Sequence, residues 1–551
     1  MTRSPNLAQT ADGTVGLVEN WYRQGHYGTD TWVDVLTDDL APGPHCSLVY
    51  CAADGSRSVT TVGEIRTTAQ RVAAGLRAHG VRPGDAVAVQ LANRIEASVA
   101  YAAVLMAGAV LVPIVHIYGP NEVRFILDQS EAVMVIQPDR WRTTDFSARV
   151  ETYVELPSLR HVVTVGDQVP AGAVPWRDLS SSADYIRPTV HADDIALLVY
   201  TSGTTSAPKG VQHSHNSLLA EVRSEPGAPG GRKDAVQLVS FPPGHIAGVS
   251  NVLRPLLHGR SAVYLESWDA AVAAEMISRY RVTSTSGTPF HLAGLLDIAG
   301  VETSLRTLTN FLVGAAAVPE ALVRRAEAAG IATFRSYGST EHPTATSGHA
   351  GESVAARLGT DGAPMAGVRI RIIDSDGMEV PVGVDGEVVL QGPDQFVGYR
   401  DARLNADVFT ADGWMRTGDL GHLDGDGRLT ITDRIKDVVI RAGETISSSQ
   451  VEDVIAGHPA VAEAAVVAAP DPRYGEVVGA VVVLEPGAGL TLDELRAHFD
   501  SSGMARQKNP ERLAVVDALP RTALGKVRKS DLRAEHFAHD PSASVSQRSS
   551  N

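Results

Sequence analysis

Helical and strand-like segments alternate through the first half of the chain, and this alternation leaves few folds open. A capping-box pattern at 61–64 is followed by apolar residues at helical spacing up to Gly80. Short apolar runs then recur, mostly with helical stretches between them; they span 86–91, 132–136, 161–165, 195–200, 235–240 and 261–265. Strands that alternate with helices predict open sheets covered by helices, so we expect an α/β fold.

The pattern of helix and strand signals in the sequence changes twice towards the C-terminus. After residue 365, short apolar runs are separated by Asp-Gly pairs, which predicts a β-rich subdomain. A second break at 433–443 precedes an α+β unit, in which the patterns at 449–452 and 491–494 are interpreted as helix starts. We expect a large N-terminal domain of residues 1–435, a small C-terminal domain of 436–538, and a polar, disordered tail of 539–551.

One apolar stretch imitates a membrane span. Residues 97–115 carry no charge, but Gly108 and Pro113 interrupt them, so we interpret the stretch as a buried helix followed by a central strand. The N-terminal residues lack the apolar core of a signal peptide. The two cysteines, Cys46 and Cys51, are too few for a disulfide framework. These features predict a soluble protein of the reducing cytoplasm.

The charge balance limits the partners. The 551 residues include 48 Lys and Arg against 64 Asp and Glu, which gives a formal net charge of −16. Such an acidic chain argues against a nucleic acid or an anionic membrane as a partner. It does not exclude a small anionic ligand, which needs only local basic groups.

A segment rich in hydroxyl side chains suggests where such a ligand would bind. The apolar strand 195–200 leads into five Ser and Thr residues placed around Gly203, and Lys209 follows six residues after that glycine. Hydroxyls and exposed backbone N–H groups suit the many oxygens of a polyphosphate, and a lysine supplies the point charge. The spacing differs from that of P-loop NTPases, because a strand-like sequence follows the lysine instead of a helix start.

This segment resembles the phosphate-binding signature of the adenylate-forming superfamily, which includes acyl-CoA synthetases, adenylation domains of peptide synthetases and firefly luciferase. The family usually has glycine where Ser206 stands. The resemblance continues in the family's order and covers about residues 50–535. Its further motifs are Gly314-Ala315-Ala316, the run 336–341 (Ser-Tyr-Gly-Ser-Thr-Glu), the run 414–420 around Asp419, the junction 433–437, and the run 520–529 around Lys526.

The resemblance implies roles for individual residues. Lys526, Thr340, Glu341 and His245 would be catalytic, with Thr340 on the α-phosphate and Glu341 holding Mg²⁺, for which a carboxylate is a suitable ligand. Tyr337 would stack on adenine. The residues implied to bind ATP or CoA are Thr201, Ser202, Gly203, Thr204, Thr205, Lys209, Gly314, Ala315, Ala316, Tyr337, Gly338, Ser339, Asp419, Arg434, Lys436 and Gly443.

The implied reaction has two halves. A carboxylate attacks the α-phosphorus of ATP and expels pyrophosphate, leaving an acyl-AMP; the thiol of coenzyme A then attacks the acyl carbonyl. Asp419 would accept hydrogen bonds from both ribose hydroxyls. By resemblance, the small domain would be mobile and would rotate about Lys436, replacing Lys526 at the site by the segment 441–444. Where the family often has two glycines, this segment has Ala442 and Gly443.

The acid is predicted only by class. His245 would gate the acyl pocket or face the carboxylate, and a packed core histidine is an equal alternative. The neighbouring residues 241–249 include no Asp to pair the ammonium of an amino acid, so an amino-acid substrate is disfavoured. Local details resemble bacterial ligases of fatty and alicyclic acids, including cyclohexanecarboxylate–CoA ligases.

Three functions remain open at this stage. The first is an acyl-CoA ligase that uses ATP, Mg²⁺ and coenzyme A with a small-molecule carboxylic acid, and its assembly as a monomer or a homodimer stays open. The second is an acyl-AMP ligase that loads a separate carrier protein, since the chain contains no carrier domain. The third, of another class, is a catalytically silent nucleotide-binding interaction protein. The presence of Lys526, Glu341 and Asp419 argues against the third.

Overall fold

The computed structural model describes residues 12–38, 41–153, 155–181, 183–201, 208–224, 235–298, 300–314, 320–442, 444–502, 504, 506–522 and 526–537. Several predicted residues lie outside these ranges: Ser202, Gly203, Thr204, Thr205, Ser206, Ala315, Ala316, Gly443 and the tail 539–551. The described residues group into two compact units. The first takes those within 1–203, 207–370 and 390–416, and the second those within 371–389 and 417–551. The boundary at 435/436 stays a prediction.

The helices of the described chain are α1 (Asp12–Gln24), α2 (Trp32–Thr37), α3 (Val62–Ala78), α4 (Ile95–Met106), α5 (Pro120–Gln129), α6 (His215–Arg223), α7 (Ile246–His258), α8 (Ala270–Tyr280), α9 (Pro289–Leu296), α10 (Val301–Ser304), α11 (Glu320–Ala328), α12 (Val354–Gly359), α13 (Ser448–Ala456), α14 (Leu492–Ser502) and α15 (Lys529–Phe537).

The strands are β1 (Ser47–Cys51), β2 (Arg57–Thr61), β3 (Ala86–Val89), β4 (Val110–Pro113), β5 (Met134–Pro138), β6 (Arg140–Trp141), β7 (Thr144–Asp145), β8 (His161–Val165), β9 (Val174–Pro175), β10 (Ile195–Thr201), β11 (Lys209–Ser214), β12 (Val236–Val239), β13 (Ser261–Leu265), β14 (Ser284–Gly287), β15 (Asn310–Val313), β16 (Ala332–Tyr337), β17 (Thr346–Ser347), β18 (Ala363–Pro364), β19 (Arg369–Ile373), β20 (Gly386–Gln391), β21 (Gly398–Tyr399), β22 (Met415–Leu423), β23 (Leu429–Arg434), β24 (Val439–Arg441), β25 (Glu444–Ile446), β26 (Val461–Asp471), β27 (Gly475–Leu484) and β28 (Arg512–Val515).

Two large sheets build the first unit. One has the strand order β18-β17-β16-β15-β14-β12-β13-β1-β2, and the other has the order β21-β11-β10-β4-β3-β5-β8-β9. The central strands of both sheets are parallel, and helices of the first unit pack against them. In the eight-stranded sheet, β3, β4 and β5 are completely buried. Parallel strands buried on both faces need such helical layers, and the predicted α/β class is confirmed.

The helix α3 forms where its sequence predicts. The hydroxyl of Thr61 accepts from the backbone N–H of Glu64, and the Glu64 carboxylate accepts from the backbone N–H of Thr61. This reciprocal capping box satisfies two amides that a helix start leaves unpaired. One face of α3, with Ile65, Ala69, Val72 and Leu76, is buried in the core.

The apolar stretch 97–115 forms a buried helix and strand, as the interruptions at Gly108 and Pro113 predict. Every side chain from Ala97 to Met106 in α4 is buried, and β4 lies inside the eight-stranded sheet. Helix α4 has 12 residues, too few to cross a bilayer. Within the described residues, no helix is both long and apolar enough for that.

The second unit contains the β-rich sheet β19-β20-β22-β23 and a C-terminal α+β domain, whose sheet β25-β24-β27-β26 is extended by β28. A core that includes Val466, Val478 and Phe499 fills the space between this sheet and the helices α13 and α14. The predicted β-rich region and α+β domain are both confirmed. The mobility of this domain stays a prediction.

One predicted helix start in this unit is wrong. The capping box assigned to 449–452 is absent, because α13 is capped by the Ser447 hydroxyl, which accepts from the N–H of Gln450. Ser449 donates its hydroxyl to the carbonyl of Thr432, and Glu452 binds the N–H of Val466. Contacts with distant strands therefore use the side chains that the local pattern assigns to the cap. The other predicted start is confirmed by the mutual capping of residues 491 and 494.

Candidate active site

Three of the predicted site residues of the first unit follow parallel strands of the nine-stranded sheet. Strands β12, β14, β15 and β16 run parallel. His245 follows β12 through a short turn, Gly314 follows β15, and Tyr337 ends β16. Gly314 is tied to the end of β14 by its N–H, which donates to the carbonyl of Gly287 at 3.0 Å. The carboxyl edge of parallel strands is where α/β proteins commonly bind ligands.

The hydroxyl-rich segment connects two antiparallel strands, β10 and β11. Thr201 at the end of β10 pairs with Lys209 at the start of β11. Residues 202–207 between them lie outside the described ranges. The strand that the sequence predicts after Lys209 is confirmed, so this segment is not followed by a helix as a P-loop would be.

One face of β11 carries three side chains directed towards the same layer. Side chains alternate along a strand, which places Lys209, Val211 and His213 on one face. Tyr399 of β21 pairs directly with Val211 in the antiparallel ladder and therefore shares this face. The Lys209 ammonium lies over the Tyr399 ring, 5.2 Å from its centroid. Lys209 is thus fixed beside an aromatic face, where a cation is favoured.

The turn that contains Thr340 and Glu341 is closed by hydrogen bonds between its ends. The N–H of Ser339 donates to the carbonyl of His342 at 2.9 Å, and the N–H of His342 donates to the Ser339 hydroxyl at 3.2 Å. A Cβ added to Gly338 would lie 2.1 Å from the carbonyl oxygen of Pro343, so only glycine fits there. Gly338 and Ser339 therefore shape the turn that presents Thr340 and Glu341.

Two neighbouring segments hold this turn from the side. The buried His213 ring donates from Nε2 to the carbonyl of Thr340 at 2.8 Å. The N–H of Phe396 donates to the carbonyl of Glu341 at 2.7 Å. The Tyr399 hydroxyl donates to Oε1 of Glu341 at 2.7 Å. Tyr399 thus contacts both Lys209 of the phosphate segment and Glu341 of the turn.

Glu341 is a suitable ligand for Mg²⁺. The Tyr399 hydroxyl occupies Oε1, and no hydrogen bond from the described residues reaches Oε2. Burial and the Glu341 charge raise the pKa of Tyr399 far above its ordinary value, so the phenol stays protonated and donates. The described residues contain no cluster of three or more His, Cys, Asp or Glu side chains that would bind a metal alone. A Mg²⁺ ion shared with substrate phosphates needs only one or two carboxylates.

A buried His–Asp pair supports the turn on its other side. His342 is fully buried, and its Nδ1 lies 3.0 Å from a carboxylate oxygen of Asp394. The same oxygen accepts from the N–H of Thr344 at 3.1 Å. Asp394 therefore connects the loop before β21 to the residues that follow Glu341.

Burial of His213 predicts a pH-dependent stability. Burial lowers its pKa from 6.5 to about 4, despite the hydrogen bond to Thr340. The unfolded chain binds a proton near pH 6.5 and the folded chain does not, so this stability is present above pH 6.5 and is lost as the pH falls towards 4. His213→Gln replaces the ring N–H donor with an amide N–H donor and removes the side chain that can take up a proton. When the pH is lowered from about 7.5 to about 5.5, the free energy of unfolding should decrease in both proteins. We expect the decrease to be about 1.4 kcal/mol smaller in His213→Gln than in the wild type.

Urea unfolding at the two pH values measures this difference. Equal pH dependence of the two proteins would contradict the buried neutral state of His213. Other buried histidines, among them His116 and His291, have pKa values lowered by burial to about 4 and contribute equally to both curves.

His245 caps α7 with its backbone. It precedes the helix in an extended conformation, and its carbonyl accepts from the N–H of Val249 at 2.8 Å. The ring is half-buried. The turn that precedes His245 packs against the start of α7 at Gly248. A Cβ added to Gly248 would lie 1.9 Å from the carbonyl oxygen of Pro242, so this packing requires glycine. Both predicted roles of His245 therefore stay open.

In the second unit, Asp419 and Arg434 face each other across two strands. They are paired in the ladder between β22 and β23, and Nε of Arg434 lies 3.1 Å from a carboxylate oxygen of Asp419. The Asp419 side chain is 9% exposed and that of Arg434 is 47% exposed. The structure thus brings together two residues to which the resemblance assigns nucleotide binding.

Lys436 is exposed and follows directly after β23. The chain turns there, because the N–H of Asp437 donates to the carbonyl of Arg434 at 2.9 Å. Just before this turn, the Asp433 carboxylate accepts from the backbone N–H and the hydroxyl of Ser448 at the start of α13. The residues beside Lys436 are therefore tied into the C-terminal α+β domain.

Lys526 lies in an exposed loop of the second unit. Its carbonyl accepts from the N–H of Thr522 at 2.7 Å, and its own N–H donates to the Thr522 hydroxyl at 3.2 Å. Lys529, three residues later, donates to Ser448 and Glu452, each at 2.7 Å. The chain that follows the loop is thus fixed to α13, and Lys526 itself is exposed.

Strands β24 and β25 pair antiparallel, with Arg441 opposite Glu444, and Ala442 directly follows β24. Ala442 has a φ of 52°, in the left-handed region that costs a residue with a Cβ about 1–2 kcal/mol. A Cβ is thus held in a turn conformation that glycine adopts without strain.

Two family models match this chain. Residues 44–400 match the model described as AMP-binding enzyme, and residues 450–526 match the one for its C-terminal domain. The first model alone covers more than half of the chain. The chain belongs to the AMP-binding enzyme family. The resemblance identified from the sequence motifs is thereby confirmed.

Individual AMP-binding enzymes align over most of the chain. The medium-chain fatty-acid–CoA ligase of Escherichia coli strain K12 is 34% identical over 470 residues, which are 83% of this chain and 82% of that protein. The feruloyl-CoA synthase of an Amycolatopsis species is 33% identical over 86% of this chain and 93% of its own. The crystal structure of ATP-bound MatB from Rhodopseudomonas palustris superposes with a TM-score of 0.82 at 29% identity, over 92% of this chain and 99% of that one.

The sequence analysis missed four residues around the turn: Tyr399, His213, His342 and Asp394. Strand alternation from Val211 identifies His213 as an inward-facing polar residue in an otherwise buried strand. This signal could have marked it. Tyr399 is 58 positions from its partner Glu341, and Asp394 is 52 positions from its partner His342. No local sequence pattern indicates contacts over such separations.

Proposed function

We propose that this chain is an ATP- and Mg²⁺-dependent acyl-CoA ligase that activates an apolar carboxylic acid, fatty or alicyclic, as its acyl-AMP. The observation that carries the proposal is the contact of Tyr399 with both Lys209 and Glu341. It links the segment proposed to bind phosphate, beside β11 of the eight-stranded sheet, to a carboxylate suited to Mg²⁺ in the turn after β16 of the nine-stranded sheet. The names of the relatives support a CoA ligase, because two of them act on a medium-chain fatty acid and on ferulate.

In the first half-reaction, an oxygen of the substrate carboxylate attacks the α-phosphorus of ATP. The bond from the α-phosphorus to its bridging oxygen breaks, and pyrophosphate leaves with that oxygen. Lys209 orients the leaving phosphates, Thr340 contacts the α-phosphate, and Lys526 neutralises the charge that develops there. Mg²⁺, when bound at Glu341, supplies further neutralisation of phosphate charge. None of these side chains becomes a covalent nucleophile.

In the second half-reaction, the thiol of coenzyme A attacks the carbonyl carbon of the acyl-AMP. The bond between that carbon and the AMP oxygen breaks, AMP leaves, and the thiol proton is released to solvent. The segment 441–444 serves this step after the C-terminal domain turns about Lys436. The Cβ of Ala442 makes this segment bulkier than one with two glycines.

The sequence between β12 and α7 supports an apolar acid. Residues 241–249 contain no Asp, Glu, Lys or Arg. The nearby His291 ring packs edge-on against Trp268, with 4.5 Å between the ring centroids, and burial lowers its pKa to about 4. This histidine is therefore neutral at physiological pH. An ammonium group buried beside these residues would lack a counter-charge.

Mass spectrometry of the purified protein tests the proposal. The protein is incubated with ATP, Mg²⁺ and a pool of straight-chain, cyclohexane and aromatic carboxylates, with and without coenzyme A. We expect acyl-CoA only when coenzyme A is present, and its mass names the acid. Acyl-AMP that accumulates in both reactions without acyl-CoA would contradict the thiol acceptor and favour a carrier protein. No AMP in either reaction would favour a silent nucleotide-binding protein.

A further inference from the structure

We propose that Tyr399 is a positioning residue of the nucleotide site: its hydroxyl orients the Glu341 carboxylate, and its ring supports the Lys209 ammonium. This inference rests on the proposed function, because Glu341 and Lys209 need fixed positions only if the chain binds ATP together with Mg²⁺. No motif of the sequence analysis includes Tyr399. The structure assigns it the role through one side chain that touches both groups.

The backbone around Tyr399 is fixed on both sides. Its N–H donates to Oδ1 of Asn405 at 2.8 Å, and its Cα lies opposite Val211 in the ladder with β11. Gly398 before it has a φ of 151°, and a Cβ there would lie 2.9 Å from the Asn405 amide nitrogen. The Asn405 side chain can therefore approach only because residue 398 is glycine.

The ring of Tyr399 is held by aromatic packing. Phe396 packs against it at 65°, with 5.0 Å between the centroids, and Phe409 stacks on Phe396 with 5.1 Å between the centroids. Tyr399 is 5% exposed. A buried ring with packed neighbours keeps one rotamer, so its hydroxyl has a fixed position.

This fixed hydroxyl determines which oxygen of Glu341 faces outwards. Oε1 accepts from Tyr399, while the carbonyl of the same residue accepts from the N–H of Phe396. Both the backbone and the carboxylate of Glu341 are therefore held by the segment 396–399. Oε2 is the oxygen left for a cation, as far as the described residues show.

The two contacts of Tyr399 can be separated by mutation. Tyr399→Phe removes only the hydroxyl and leaves the ring under Lys209. Tyr399→Leu removes the ring as well. Tyr185→Phe is the matched control, because its hydroxyl donates to a backbone carbonyl, that of Met106, at 2.7 Å and has no part in the proposed site.

Calorimetric titration of each protein with ATP, once with saturating Mg²⁺ and once with EDTA, tests the inference without any turnover. We expect Tyr399→Phe to bind ATP about 10-fold more weakly than the wild type with Mg²⁺ and equally well with EDTA, since one charge-assisted hydrogen bond is lost. Tyr399→Leu should weaken binding in both conditions, because Lys209 loses its support. Tyr185→Phe should match the wild type throughout.

Unchanged binding by Tyr399→Phe with Mg²⁺ would overturn the inference, and so would an equal loss in both conditions. A wild-type protein that binds no ATP would overturn the proposed function itself, which separates the two failures. Thermal unfolding of each variant shows whether it folds. If Tyr399→Leu does not fold, the comparison of Tyr399→Phe with Tyr185→Phe still decides.

Discussion

Replacing Lys526 with alanine should slow acyl-AMP formation by ~10²–10³-fold and leave the thioester step largely intact. The reason is electrostatic, since a preorganised charge directed at a developing negative charge commonly contributes this much to a rate. The Lys526 loop is tied at its base through Thr522, and the side chain is exposed, so the alanine variant should fold normally. The loss should therefore appear in the chemistry of the first half-reaction and not in stability.

Separate assays of the two half-reactions measure this effect. Carboxylate-dependent exchange of labelled pyrophosphate into ATP reports the first, and conversion of a preformed acyl-AMP with coenzyme A reports the second. Lys508→Ala is the matched control, a half-buried lysine of the same unit whose ammonium donates to Gln450 at 2.7 Å. Exchange at the wild-type rate in the Lys526 variant would contradict its catalytic role. An equal loss in both assays would contradict its restriction to the first half.

Local and periodic signals were sufficient for most of the fold. The capping box of Thr61 and Glu64 fixes the start of α3 by contacts three residues apart, and such contacts can be identified from sequence. Gly108 and Pro113 identified the apolar stretch as a helix and a strand because both residues constrain the backbone directly. Short-range physics therefore predicts which elements form and approximately where they begin.

The same local rules fail where neighbouring residues compete for one role. Ser447, Ser448 and Ser449 are all able to cap α13, and the sequence pattern favoured the last because Glu452 stands three residues later. Ser449 and Glu452 are instead bound to groups on β23, β26 and α15. A choice among equivalent hydroxyls is thus made by long-range contacts that no window of sequence contains.

The site was predictable as a set of motifs but not as a geometry. The motif residues could be named because their order along the chain matches a family, which indicates their roles without indicating their supports. The supports of Thr340 and Glu341 come from His213, Phe396 and Tyr399, on segments that meet this turn only after the strands have paired. Residues that position a catalytic group therefore need the structure, since their partners are set by strand register.

Replacing Asp419 with asparagine should lower kcat/KM for ATP by about 10²-fold. If Asp419 accepts from both ribose hydroxyls, two hydrogen bonds to a charged acceptor are lost, at about 1.5 kcal/mol or more each. The carboxylate is nearly buried and lies beside Arg434, so the amide that replaces it points an N–H₂ group at the ribose or at a guanidinium. In either orientation of the amide, its N–H₂ donor faces another donor, which is a ribose hydroxyl or the Arg434 guanidinium.

The ribose hydroxyls give this prediction its sharpest test. The wild type should lose about the same factor with 2′,3′-dideoxy-ATP as the variant loses with ATP, and the variant should discriminate little between the two nucleotides. Asp385→Asn serves as the control, a carboxylate of the same unit that is paired with His422 at 2.8 Å. If the Asp419 variant still prefers ATP over the dideoxy nucleotide as strongly as the wild type does, then Asp419 does not bind the ribose. Its buried pairing with Arg434 would in that case serve only to join β22 to β23.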